Sequence, residues 1–214
     1  MNKYLVEFIG TFFLVLTIGC TVLPGSPGVI APLAIGSVLA VMIYAGGHIS
    51  GAHYNPAVTV GVFLRGKCPA SDVGPYIAAQ VAGAVGAALL ASFLFPAAIE
   101  LLAAKPAASI DLPRVMVAEF LFTFALVYVV LSVATAKANA GNSYFGLAIG
   151  FTVLAGAFAV GGISGGHFNP AVSVGACLLK LSSISNIWAY LIAQLAAAFA
   201  ASAIFRFASP ADFK

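Results

Sequence analysis

The sequence predicts an all-α membrane protein: six transmembrane helices plus two half-membrane re-entrant helices in an inverted three-plus-three repeat. Three observations lead there. The chain is too apolar to be covered by water, its apolar runs have the length of a bilayer crossing, and one polar-capped segment occurs twice at matched places.

Hydrophobic residues make up 62% of the 214 and charged residues 7%, with a mean hydropathy of +1.10. So little polar surface cannot clothe a water-soluble globule, so lipid is the expected solvent. A helix needs about 20 mostly apolar residues to cross a hydrocarbon layer of roughly 30 Å. Runs over residues 4–23, 29–46, 73–95, 115–136, 144–161 and 187–207 meet that length and are the six expected spans. The first passes Thr11, Gly19 and Cys20 without a small-residue cleavage site, so it reads as a spanning helix and not as a secretory signal. Two further apolar pieces, 56–64 and 170–179, reach only half a bilayer at about 1.5 Å per residue.

Displacing the sequence by 114 positions lays GHISGAHYNPAVTVG, residues 47–61, on residues 161–175 and carries Gly36 to Gly150, Tyr76 to Tyr190 and Gln80 to Gln194. A displacement of 112 carries Glu7 to Glu119, so the halves differ by a short insertion between their first and second spans. The expected organisation is one transmembrane domain, 1–214, with repeat one at about 1–100 and repeat two at about 113–209. Three crossings per half is an odd number, so the second copy enters from the opposite side. With the N-terminus inside, Lys3, Arg65, Lys67, Lys137, Arg206 and Lys214 fall on the inner segments and Lys105, Arg114 and Lys180 on the outer ones. That bias predicts cytoplasmic N- and C-termini.

Asn55-Pro56-Ala57 and Asn169-Pro170-Ala171 are helix-start signals, since Asn caps free N–H groups and Pro suits the first turn. Two half-helices meeting N-terminus to N-terminus at the bilayer centre each present about half a positive charge, a barrier to cations. The Gly-rich stretches before them, 46–51 and 161–166, are not expected to be regular helix to the end and are expected to line a watery cavity, their carbonyls accepting while the Asn amides donate.

Duplicated Asn-Pro-Ala motifs in an inverted repeat resemble the aquaporin (major intrinsic protein) family, over essentially the whole chain. The resemblance implies a channel for water and small neutral solutes, a homotetramer with one pore per chain, and a plasma-membrane location, with no cofactor. It implies that Glu7 and Glu119 brace the loops; a proton relay is the rival reading, since intramembrane carboxyls are costly and usually functional. It makes His53, His167, Gly51 and Gly165 pore-loop positions, with pH sensing by the histidines as the alternative.

The family's four constriction positions fall on Ile35, Ala157, Gly166 and Val172. Water- and glycerol-selective members carry Arg at the place of Val172; without that fork of donors and its fixed charge the constriction is expected to be wider, apolar and less selective. Ammonia, hydrogen peroxide, urea and undissociated metalloid acids are the expected solutes beside water. An apolar ring can also dewet and so act as a gate, and the missing charge weakens the barrier to ions.

Other classes fit less well. No metal cluster, carboxylate pair or nucleophile with its base is found outside these positions, so no enzyme is expected. The net charge of +3 is dispersed between apolar runs, against nucleic acid. Cys20, Cys68 and Cys177 are far apart and read as packing thiols. A coupled transporter shares the symmetry, and a weakly conducting structural protein is the remaining alternative.

Overall fold

A computed structural model describes residues 2–26, 30–104 and 110–213. Met1, Val29, Lys105 and Lys214, at which the sequence reading placed domain or span limits and two of the cations, lie outside the described residues.

Six long apolar helices form the body: α1 (Asn2–Val22), α2 (Ala31–Ser50), α4 (Ala70–Leu94), α6 (Leu112–Thr135), α7 (Phe145–Ser164) and α9 (Ile187–Ala208). Between them stand α3 (Pro56–Leu64), α8 (Pro170–Leu178) and α5 (Pro96–Ala103). The described residues contain no strand. The eight-residue α5 was not foreseen; Pro96 starts it after α4, and it packs back on α4.

Packing repeats between the halves. α1 lies on α4 and α2, as α6 lies on α9 and α7. The halves join where α2 crosses α7 and where α3 and α8 reach across to α9 and α4. Small residues set the closest approaches: a Cβ at Gly83 of α4 would stand 2.4 Å from the Phe8 carbonyl oxygen of α1. Gly36 and Gly150, repeat-mates of each other, meet at the α2–α7 crossing, so this contact lies on the pseudo-two-fold axis. A methyl on Gly150 would fall 2.3 Å from the Gly36 oxygen. Gly150→Ala must therefore push the halves apart and is expected to lower the thermal midpoint of the purified protein by the equivalent of about 1–3 kcal/mol. Gly161→Ala, whose methyl meets nothing within 4 Å, is the control expected to leave it unchanged.

The start of α1 and the turn after α9 lie at the same end of the bundle. There Lys3 pairs with Asp72 at 2.6 Å, Arg65 bonds the Thr135 hydroxyl at 3.2 Å, and Asp212 accepts from the Lys137 N–H at 2.8 Å and stands 3.6 Å from Arg65. The C-terminal turn is thereby tied to the end of α3.

The helices outrun the apolar spans read to 46 and 161: α2 continues to Ser50 and α7 to Ser164, and the Gly-rich stretches leave the helix only at their ends, where 51–54 and 165–168 are non-helical. The termination is a left-handed cap at Gly51 (φ +83°) and Gly165 (φ +87°), each N–H bonding the carbonyl four residues back.

Candidate functional site

The site grows from the two short helices. Asn55 and Asn169 adopt extended backbone (φ −158° and −159°), and each side-chain oxygen accepts from the two N–H groups that follow the motif Pro: Ala57 at 2.8 Å and Val58 at 3.5 Å, Ala171 at 2.9 Å and Val172 at 3.4 Å. The amide nitrogens then bond across the repeat. Asn55 Nδ2 donates to the Phe168 carbonyl and Asn169 Nδ2 to the Tyr54 carbonyl, both at 2.9 Å. Each amide keeps a second hydrogen for the space between the helices.

The loops before the motifs are held by carboxylates. Glu7 is fully buried and accepts four bonds, from the Ser50 hydroxyl (2.7 Å), the His53 N–H (2.9 Å), the Tyr54 N–H (2.7 Å) and Gln80 Nε2 (2.8 Å). Glu119, equally buried, repeats the set with Ser164, His167, Phe168 and Gln194 at 2.7, 3.0, 2.7 and 2.8 Å. All eight contacts are donors, so the carboxylates act as acceptors throughout. Ser50 and Ser164 in turn accept from the Ala52 and Gly166 N–H groups, and the Tyr76 and Tyr190 hydroxyls close the last carbonyls of α2 and α7.

With every loop N–H engaged, the carbonyls of Gly51, Ala52 and His53, and of Gly165, Gly166 and His167, meet no protein donor among the described residues. The left-handed backbone at Ala52, Tyr54, Gly166 and Phe168 turns successive peptide groups, a strained conformation that the carboxylate bonds hold in place. The His rings are held within this frame, His53 Nδ1 3.2 Å from the Thr59 hydroxyl and His167 Nδ1 3.1 Å from the Ser173 hydroxyl, with His167 Nε2 also 3.2 Å from Ser182.

A cavity of about 170 Å³ runs through this frame. That exceeds by roughly tenfold the 10–15 Å³ a single water requires. Asn55, Asn169, His53, His167, Gly165 and Gly166 supply polar groups to its wall, and Ile35, Ala157 and Val172 line it as well; most of the rest is Leu, Ile and Val of α1, α2, α3, α6 and α7, with Ala52, Tyr54, Ala176, Leu181 and Ser182. Among the described residues no Lys, Arg, Asp or Glu lines it. Gly51, Pro56, Ala57, Pro170, Ala171, Glu7 and Glu119 stand behind the wall. Gln80, Gln194, Tyr76, Tyr190, Thr59 and Ser173 were given no role from sequence, although the repetition of two of these pairs inside apolar spans was a visible signal.

Fold and site together define a helical membrane channel. The family model described as Major intrinsic protein matches residues 1–160 and 146–212. The chain is 37% identical over 199 residues to Aquaporin NIP1-3 of Oryza sativa subsp. japonica, covering 89% of this chain and 68% of that protein. It is 36% identical over 201 residues to Glycerol uptake facilitator protein-like 6 of Lactiplantibacillus plantarum, covering 90% and 91%. Its fold is shared with the aquaglyceroporin from Plasmodium falciparum, at a TM-score of 0.80 over 98% and 97% of the two chains and 22% identity. The chain belongs to the major intrinsic protein family: it is a multi-pass membrane protein of a channel family and not an enzyme. Channels of this family pass water and small solutes across a membrane.

Proposed function

We propose that this chain is a passive pore for water and small uncharged solutes. The supporting observation is a cavity that carries hydrogen-bonding groups on its wall and, among the described residues, no charged side chain. A neutral molecule moving along it exchanges water partners for carbonyl acceptors and, at the centre, for the Asn55 and Asn169 donors. A cation would have to leave water facing the positive ends of α3 and α8.

The outer constriction in this reading is Ile35, Ala157, Gly166 and Val172. It offers no side-chain donor and no fixed charge, which suits urea, ammonia, hydrogen peroxide or an undissociated metalloid acid as well as water; the likeness to a glycerol uptake facilitator protein adds glycerol to the solutes worth testing. Glu7 and Glu119 serve as loop braces, not as a proton path, since neither reaches the cavity. The single domain, the homotetramer, the plasma-membrane location and the cytoplasmic termini belong to the same proposal; the cluster of Lys3, Arg65, Lys67, Lys137 and Arg206 at the inner end supports the orientation.

Proteoliposomes shrinking in an impermeant osmolyte are expected to do so faster than empty vesicles, and to reswell in urea or glycerol. The apolar walls favour a second reading, a dewetted and closed pore. Rates equal to empty vesicles for water and solute alike would replace the first reading by the second.

A further inference from the structure

The repeat relates each residue of the outer constriction to a partner on the inner side of the Asn pair. Displacement by 114 carries Ile149 to Ile35, Ala157 to Ile43, Gly166 to Ala52 and Val172 to Val58. Ile43, Ala52, Val58 and Ile149 all line the same cavity, so the channel contains a second four-residue ring. We infer that this inner ring, and not the outer one, is the narrowest part of the path and sets the size of solute that passes.

Three observations converge on this. The inner ring is bulkier, because Ile43 stands for Ala157 with three more carbons and Ala52 stands for Gly166 with one more, while the other two positions keep the same Ile and Val. It is more enclosed: Ile43, Ala52, Val58 and Ile149 are exposed by 2%, 6%, 3% and 5%, whereas only Val172 of the outer ring is buried. Finally, the cavity is lopsided about the Asn pair. Outward it extends past the outer ring to Val22, Ala176, Leu181 and Ser182; inward, the repeat-mates Ala134, Val62, Lys67 and Cys68 do not line it.

The chemistry of the two rings differs as little as their sizes differ much. Neither carries a side-chain donor, so discrimination at the inner ring is by cross-section. Gly166 lets the outer loop pass Ala157 closely, a Cβ there meeting Ala157 Cα at 3.3 Å. At the matching place the inner loop carries a methyl, Ala52, in left-handed backbone (φ +52°).

This inference rests on the proposed neutral-solute pore, and one set of measurements separates the two. Full-length wild type, Ile43→Ala, Ala52→Gly and Ala157→Ile are each reconstituted in liposomes, and water and glycerol permeabilities are read. Ile43→Ala is expected to raise the glycerol-to-water ratio about tenfold. Ala52→Gly is expected to move it the same way by less, and it keeps the test open should Ile43→Ala fold poorly, because glycine relaxes the left-handed position. Ala157→Ile, which gives the outer ring the inner ring's isoleucine at that place, is expected to lower the ratio by less than Ile43→Ala raises it. A ratio unmoved by both inner variants but cut by Ala157→Ile would overturn the inner ring and leave the pore standing. If wild type runs at empty-vesicle rates the proposed open pore falls; conduction restored by an inner variant then still supports the inner ring as the closure, and continued silence in both overturns it.

Discussion

Glu7→Ala is expected to abolish conduction and to lower the stability of the detergent-solubilised protein by roughly 3–5 kcal/mol. The substitution removes one side chain but strands four donors at once: the Ser50 hydroxyl, the His53 and Tyr54 N–H groups and Gln80 Nε2. Glu7 and Gln80 are fully buried, so bulk water does not replace the lost acceptor. The left-handed backbone at Ala52 and Tyr54 then has nothing to hold it, and the carbonyl strip loses its direction. Glu7→Gln is expected to fall between, because either placement of its amide sets an NH₂ against at least one backbone N–H. Thermal midpoint and water flux in vesicles check the series; an alanine variant as stable and conductive as wild type would refute the bracing role.

Val172→Arg is expected to cut glycerol and urea entry by about tenfold or more while retaining water flux. Val172 is the third residue of α8 and lines the same cavity as Ala157 and Gly166. A guanidinium there occupies the space left by those two small residues and finds acceptors in the Gly165 and Gly166 carbonyls, which have no protein donor among the described residues. It also adds a fixed cation in series with the α3 and α8 dipoles, so any residual proton or cation leak is expected to drop in the same variant. Stopped-flow light scattering reads the solutes, and a pH-sensitive dye inside the vesicles reads the leak. Unchanged entry of large solutes would remove Val172 from the path.

What was legible in the sequence follows from how local each determinant is. The starts of α3 and α8 are set by Asn55-Pro56 and Asn169-Pro170, because capping is chemistry between neighbours, and the structure begins both helices there. The six spans were readable because lipid demands a length. The ends of α2 and α7 were not: glycine's weak helix propensity argued for an early break, whereas Tyr76 and Tyr190, a helix away, close the final carbonyls and carry the helices to Ser50 and Ser164. The four donors around each Glu come from two separate helices and a loop. Gln80 and Gln194 were visible as repeats, but their bond to a carboxylate 73 and 75 residues distant has no local signature. Ile43, likewise, becomes conspicuous only when the cavity and the repeat are laid over one another.

The reciprocal bonds of Asn55 to the Phe168 carbonyl and of Asn169 to the Tyr54 carbonyl bear on how the chain is made. The first repeat emerges from the ribosome before the partner of its central amide exists. Its helices can enter the bilayer, but the Asn55 amide and the Tyr54 carbonyl face hydrocarbon or trapped water until the second repeat arrives. Insertion and completion are thus separate events in the life of this protein. The first half waits as an unfinished guest of the membrane until the turn before α8 brings Phe168 and Asn169 to it.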